Sequence, residues 1–337
     1  MKSAETISTV QLRSPQIAKI RMDALSAIRF FFVSRDFVEV ETPLLVASPD
    51  MDPALSPLEV RLKAGGKAAL ITSPEYSLKK LLGSGMKKIF SLNKVFRDEE
   101  AWDERHVSEF TMVEWYEAGA DYRSGMRQTR ELILAVATAL NVVEHPLLKE
   151  WEVKRMEELF AENLGVEQVG LRTREELLAR ARRLDIHTHE SDSWSDVFYR
   201  LYLAKIEPTL PTDRATVICD YPLPQAALSR PCPDGVYAER FELFSGTLEL
   251  CNAFTELTDA DEQRRRFECE RAERERLGKT VFPIDEELLR LLPSVQNPTF
   301  GNALGVDRLL MTLLGAKSLD EILLFPPVRL FGPPSTS

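Results

Sequence analysis

Two strands and the loop that joins them constrain this chain most. Residues 89–96 and 109–116 each read as a β-strand, and residues 97–106 between them are dominated by charge. The unit is an antiparallel hairpin with an Arg- and Glu-rich loop at its tip. Arg97, Asp98, Glu99 and His106 lie in that loop, and Phe110 starts the returning strand. An arginine at a strand end can neutralise a phosphate. Taken alone, Arg97 is most simply one half of an exposed ion pair with Glu99, Glu100 or Glu104, so the loop gains meaning from what else the chain supplies.

Two further stretches supply it. Glu242 lies in one strand-like run and Glu249, Leu250, Asn252 and Glu256 in or near the next, so all fall around one hairpin. Alternation places Leu250, Asn252, Phe254 and Glu256 on one face. A carboxylate among Leu250, Phe254 and Leu257 is costly to bury unpaired, so Glu256 needs a cation or metal beside it; a solvated strand face is the plain alternative. Gly301, Ala303 and Gly305 then lead through Asp307 and Arg308 into a helix over 306–314. Glycine at that spacing lets a ligand approach the backbone, or marks a bulge or tight packing. Arg308 adds a second phosphate-capable cation.

The remaining pattern is α+β. Ile20, Ala24, Ile28 and Phe31 mark an amphipathic helix that ends near Asp36. Residues 37–41 alternate as a half-buried strand, 44–66 read as loop around a short strand, 68–72 as a strand, and 73–83 as a helix with Pro74 just inside its start. A helix at 122–140, strands at 216–219, 240–244 and 247–254, and a charged helix at 259–277 follow, with 145–215 as a mostly helical insertion.

With 337 residues, 44% of them hydrophobic, the chain can build a large core, and its net charge of −10 lacks the basic excess of nucleic-acid binders. Cys219, Cys232, Cys251 and Cys269 are spaced too widely for a C-x-x-C pair and read as reduced thiols. Residues 1–15 hold no apolar leader core, and no apolar stretch is long enough to span a bilayer, so the sequence reads as soluble and cytoplasmic with no membrane partner. His187 and His189 read as surface residues, and Trp115 and Trp194 as packing anchors.

In order and spacing, residues 37–43, Phe96 to Glu99 with Phe110, and residues 301–308 resemble the three signature motifs of class II aminoacyl-tRNA synthetases. The catalytic core of that class is an antiparallel sheet flanked by helices. Thr72 to Tyr76, residues 109–116 and residues 249–259 resemble its lysyl branch. The first motif begins almost at the N-terminus, which leaves no room for an anticodon-binding domain. In this the chain is similar to the elongation factor P lysyltransferases, truncated paralogues that ligate a lysine-type residue to a protein lysine. The resemblance implies a single catalytic domain over 1–337, a homodimer formed through the first motif, elongation factor P as partner, and no tRNA binding.

It also implies roles. Phe110 and Arg308 would sandwich adenine, Arg97 and His106 would contact the phosphates, and Asp98, Glu99, Glu249, Leu250 and Gly305 would complete the ATP site. Glu242 and Glu249 would hold Mg2+. Glu114, Tyr116 and Glu256 would form the pocket for the side-chain ammonium of lysine or (R)-β-lysine, with Asn252 near its carboxylate and Ser73 and Glu75 near its other amine. Arg97 and Arg308 would be catalytic, offsetting the charge that builds as the ionised substrate carboxylate displaces pyrophosphate.

Four positions depart from the pattern. Asp36 and Ala253 stand at usual glycines, and Val107 stands where the paralogues carry Asn, which weakens one ATP contact. Ala303 replaces the middle glycine of the synthetases, as it does in the paralogues; its methyl disfavours α-lysine and leaves room for a β-amino acid. The leading expectation is ATP-dependent ligation of (R)-β-lysine to elongation factor P through an adenylate. The alternatives are a free-standing core that charges a tRNA or small acceptor, and an inactive sensor of lysine or ATP.

Overall fold

Helix α1 (Pro15–Val33) buries Ala24, Ile28, Phe31 and Phe32 along one stripe, as the apolar spacing predicts. Phe32 then meets Phe37, Phe90 and Trp115 at ring-centroid distances of 4.8 to 5.2 Å. This cluster fixes the turn out of the helix. The Phe37 N–H donates to Phe32 O at 3.1 Å across Asp36, whose φ is 65°. That left-handed conformation explains why glycine suits the position, and aspartate visits it more readily than most residues.

The computed structural model describes residues 15–63, 65–98 and 103–332. The leader reading of the first fourteen residues, and the assignment of Glu99, therefore lie outside the described residues. Strand β1 is only Val38–Glu39, and neither side chain is buried. The half-buried strand expected over 37–41 is corrected here: β1 is an edge strand paired on one side with β5 (Lys88–Phe96). The expected loop over 44–66 carries two short strands, β2 (Leu45–Val46) and β3 (Glu59–Arg61), which pair with β4 (Lys67–Leu70) in a small antiparallel sheet of order β2-β4-β3. Helix α2 (Glu75–Gly83) starts directly after Pro74.

β5 and β6 (Glu109–Ala118) form the long hairpin, in register from Lys88↔Glu117 to Phe96↔Glu109. Helix α3 (Tyr122–Ala139) follows, with the Asp121 and Ser124 side chains capping its start reciprocally. The segment 145–215 is less purely helical than expected. Besides α4 (Met156–Leu164), α5 (Arg174–Arg183) and α6 (Trp194–Leu201), it supplies β7 (Glu152–Arg155), which pairs in parallel with β8 (Ala215–Pro222) at the far edge of the main sheet. Its helices pack on Ile218, Tyr221, Tyr237 and Phe244 of the sheet.

β9 (Tyr237–Ser245), β10 (Leu248–Thr255), helices α7 (Ala260–Arg276) and α8 (Glu286–Leu291), β11 (Thr299–Gly305) and helix α9 (Val306–Leu313) complete the chain's path to the site. The main sheet runs β1-β5-β6-β11-β10-β9-β8-β7. Its inner pairings are antiparallel, and both edge pairings are parallel, so the sheet is mixed rather than purely antiparallel. One face carries Phe90, Val113, Trp115, Leu304, Cys251, Ala253 and Phe241 into the largest core.

If Asp36 is tolerated because its side chain accommodates φ > 0, Asp36→Ala should destabilise the fold by about 1 kcal/mol and Asp36→Gly should not. Denaturant unfolding of the two variants checks this; equal losses would rule out the backbone explanation.

Candidate active site

The residues opposite that core build the site. Register runs straight across five strands, from Ser91 to Glu114, Ala303, Asn252 and Glu242. Residues directly opposite share a face, so Glu114, Ala303, Asn252 and Glu242 form one row. Period-two neighbours extend it: Phe110, Met112 and Tyr116 on β6, Gly301 and Gly305 on β11, Phe254 on β10 and Arg240 on β9 all line one cavity of about 750 Å³. A bulge between Glu249 and Cys251 breaks the alternation, so both Glu249 and Leu250 reach the cavity.

At one end of the cavity the groups are cationic and aromatic. The Arg97 guanidinium lies 5.2 Å from the Phe110 ring centroid, and its Nε is buried without a hydrogen-bond partner among the described residues. None of the described carboxylates pairs with it, which sets aside the Glu104 ion pair as an alternative. Among the described residues Arg308 is likewise held only by carbonyls, donating to Glu249 O at 3.1 Å and Arg105 O at 3.3 Å. Its neighbour Asp307 is buried, accepts from Arg21 at 2.6 Å and from the Thr111 N–H at 2.7 Å, and so locks α9 onto α1 and β6. His106 lines the cavity with Nδ1 2.9 Å from Asp103. Asp98 is exposed and its N–H donates to Ser56 O at 2.6 Å; it does not line the cavity. Val107 packs with Met311, Leu319, Ile322 and Leu323 in an apolar cluster.

The other end is acidic. Glu114 is buried and accepts from Tyr116 Oη at 2.6 Å and Ser73 Oγ at 2.8 Å. Burial, with the charge of Glu75 added, pushes its carboxyl up to about 8. Glu256 has the cation its surroundings required: Lys79 Nζ lies 2.6 Å from it and 2.5 Å from Glu75. Burial still pushes Glu256 up to about 8, because Glu75 and Glu114 oppose the pull of Lys79. Glu256 does not line the cavity. It lies directly behind Gly301, where a Cβ would come within 2.1 Å of its Oε1. At Gly305, by contrast, a Cβ would make only ordinary contacts at 3.9 Å.

Between the ends, Glu242 is bound by Arg240 at 2.5 Å and by Tyr221 Oη at 2.6 Å, and Arg240 also reaches Asn252 Oδ1 at 3.0 Å. Arg240 was legible as Glu242's same-face neighbour two residues earlier, and Lys79 as the i+4 partner of Glu75. Asp50, Asp52 and Glu270 also line the cavity, and nothing in the sequence pattern marked them. Among the described residues no group of three or more His, Cys, Asp or Glu gathers to hold a metal. Glu242 and Glu249 are instead a pair of carboxylates on one wall, suited to a hard cation that takes its other oxygens from a ligand or water.

Residues 3–329 match the family described as tRNA synthetases class II (D, K and N). The chain is 34% identical over 330 residues to the elongation factor P--(R)-beta-lysine ligase of Avibacterium paragallinarum, covering 96% of this chain and 97% of that protein. Proteins of the same name from Pectobacterium atrosepticum and Mannheimia succiniciproducens are 36% and 35% identical, over 92% and 90% of this chain and 94% and 93% of theirs.

Removing Lys79 while leaving its carboxylates should be expensive. Lys79→Met should cost about 3 to 5 kcal/mol in denaturant unfolding at about pH 9, where Glu256 is ionised in the parent protein and is left buried without a cation in the variant. A loss under about 1 kcal/mol would mean that the carboxylates do not depend on it.

Proposed function

Because the chain belongs to the class II tRNA synthetases, we propose that it activates (R)-β-lysine with ATP and ligates it to a lysine ε-amine of elongation factor P. It is an AMP-forming ligase that makes a carbon–nitrogen bond. The relatives' names supply the acceptor and the β-lysine. The observation that carries the reading is the cavity's polarity: at one end Arg97 over the Phe110 ring and Arg308, neither paired with a carboxylate among the described residues, and at the other an excess of carboxylates over one buried lysine.

Phe110 and Arg308 hold adenine between them, Gly305 lets the nucleotide lie against the backbone, and Arg97 and His106 take the phosphates. Leu250 and Glu249 close the nucleotide side, and Glu99 reads the adenine edge. Glu114, with Tyr116 donating to it, binds the substrate's side-chain ammonium, and Glu256 adds its charge from behind Gly301. Ser73 and Glu75 face the second amine, and Asn252 the carboxylate. The methyl of Ala303, between Glu114 and Asn252 in the strand register, favours the β-amino acid. The substrate carboxylate is ionised at neutral pH and attacks without a base. Arg97 and Arg308 stabilise the charge gathering on the phosphoryl oxygens. Glu242 and Glu249 would hold Mg2+, which supplies further charge neutralisation at the phosphates.

In this reading the chain is one catalytic domain with 145–215 inserted, works in the cytoplasm, binds no tRNA, and pairs as a homodimer through α1 and β1. Support for the last comes from Met22, Phe30, Val33 and Val38, which are all more than half exposed there.

The test is intact mass spectrometry of elongation factor P after incubation with the protein, ATP, Mg2+ and (R)-β-lysine, beside α-lysine and a tRNA reaction. A lysyl mass gain on the protein, greater with the β isomer and absent with Arg97→Ala, is expected. Charged tRNA instead would make it a minimal synthetase, and no product a sensor.

Protonation gives a second check. With Glu114 at about 8 in the free site, much of it is protonated at neutral pH and must ionise to hold an ammonium. Lysine binding should therefore release protons near neutral pH and tighten as pH rises from about 6.5 to about 8.5. Calorimetric titrations in buffers of different ionisation enthalpy measure this; affinity that falls over the range contradicts the assignment.

A further inference from the structure

Helix α7 is densely charged, yet one stripe of it faces inward. Gln263, Phe267, Glu270 and Arg274 recur at steps of four, three and four, and Gln263, Phe267 and Arg274 are each 1% exposed. Arg274 is explained by structure alone, since it donates to the carbonyls of Thr280, Asp52 and Leu55 at 2.8 to 2.9 Å and so pins residues 52–55 against α7. Glu270 has no such explanation. It lines the cavity, and its Oε2 is buried with no hydrogen-bond partner among the described residues. Burial and the charges of Asp50, Asp52 and Glu75 hold its carboxyl well above the usual range. Arg266 opposes this, but its guanidinium is bonded to Glu262 and to the carbonyls of Ala227 and Ser229.

Asp50 shares that excess of negative charge, although its Oδ1 accepts from the Asp52 N–H at 3.0 Å. Burial, Asp52 and Glu75 push it up to about 7, against a weaker pull from Arg97. The wall formed by Asp50, Asp52 and Glu270 thus repels itself and, among the described residues, forms no ion pair, unlike Glu256 with Lys79 or Glu242 with Arg240; Asp50 and Asp52 accept only backbone N–H groups, and Glu270 Oε2 accepts nothing. An unpartnered buried carboxylate is costly unless a ligand completes it. A lysine ammonium meets this need. The acceptor lysine arrives protonated, since its ordinary pKa is about 10.4, and must lose a proton before it can attack.

Resting on the ligase reading above, we infer that Glu270, Asp50 and Asp52 form the port for the acceptor's ε-ammonium: Glu270 and Asp52 hold it and Asp50 receives its proton. The ammonium gives one proton to the Asp50 carboxylate, and the freed lone pair forms the C–N bond to the carboxyl carbon of the adenylate. The bond from that carbon to the phosphate oxygen breaks with its electron pair on AMP, and the second nitrogen proton leaves to the AMP phosphate.

The half-reactions separate the claims. Pyrophosphate exchange and trapping of the adenylate by hydroxylamine, a neutral nucleophile, report adenylation; single-turnover transfer to elongation factor P reports the port. Glu270→Gln should raise the acceptor KM roughly tenfold or more, and Asp50→Asn should lower the transfer rate at saturating acceptor to a similar degree, with exchange and trapping within about twofold. Glu270→Asp, which keeps the charge, should recover part of the loss. Transfer unchanged in Glu270→Gln and Asp50→Asn, or lost only in proportion to exchange, overturns the port and leaves the ligase reading standing. No exchange by the unsubstituted protein with any lysine isomer overturns the reading beneath it, and the port with it.

Discussion

A buried lysine makes the acidic half of the cavity possible. Lys79 is 1% exposed and sits between Glu75 and Glu256 at 2.5 and 2.6 Å, with the Phe254 ring centroid 5.3 Å away. It joins α2 to the end of β10, so the helix that presents Glu75 to the cavity is tied to the sheet by charge as well as by packing. One cation does not balance the carboxylates around it. Glu114 and Glu256 are both pushed up to about 8 because burial and mutual repulsion outweigh Lys79. The site is stable enough to fold and electrostatically incomplete, which suits a pocket that selects a cation by supplying what it lacks.

The glycines show two causes behind one spacing. At Gly301 the cause is packing: a side chain there would strike Glu256 and Tyr116. At Gly305 there is room, and the position faces the cavity beside Arg308. Asp307, readable as a helix first-turn acid, instead fixes the orientation of α9 by accepting from Arg21 and the Thr111 N–H. With α9 held at its first turn, Arg308 is aimed by carbonyls rather than by a carboxylate, so its charge stays available to a ligand.

Much of this was legible in the chain, and the failures share physical causes. The hairpin of β5 and β6, the amphipathic α1 and the glycine-spaced strand carry strong periodic signals. Glu256's need for a cation followed from its apolar neighbours, and Lys79 stands at i+4 from Glu75, but that Lys79 also serves Glu256 depends on a long-range contact that only the fold makes. Residues 152–155 carry three charged side chains, so β7 has no apolar alternation to reveal it; it exists because β8 offers an edge. Val38 looked like a core position and is exposed, because a two-residue edge strand buries neither side chain. Glu270 was hidden by composition: a helix rich in both charges reads as solvated on every side, and only the tertiary fold shows that its stripe through Gln263 and Arg274 turns inward.

The bulge in β10 illustrates how one extra residue carries chemistry. In an unbroken strand Glu249 and Asn252 would point to opposite faces. The insertion at Leu250 reverses that parity: Asn252 stands opposite Glu242 and Glu249 opposite Phe244, two residues along the same strand. Both carboxylates therefore fall on the cavity side, close enough for the charge of Glu249 to raise Glu242. Arg240 and Tyr221 offset that repulsion at Glu242 and fix its orientation. The result is a carboxylate held in place beside one with no side-chain partner among the described residues, between the cationic and the acidic ends of the cavity. That is where a divalent cation and the reacting phosphoryl group would have to meet the amino acid's carboxylate.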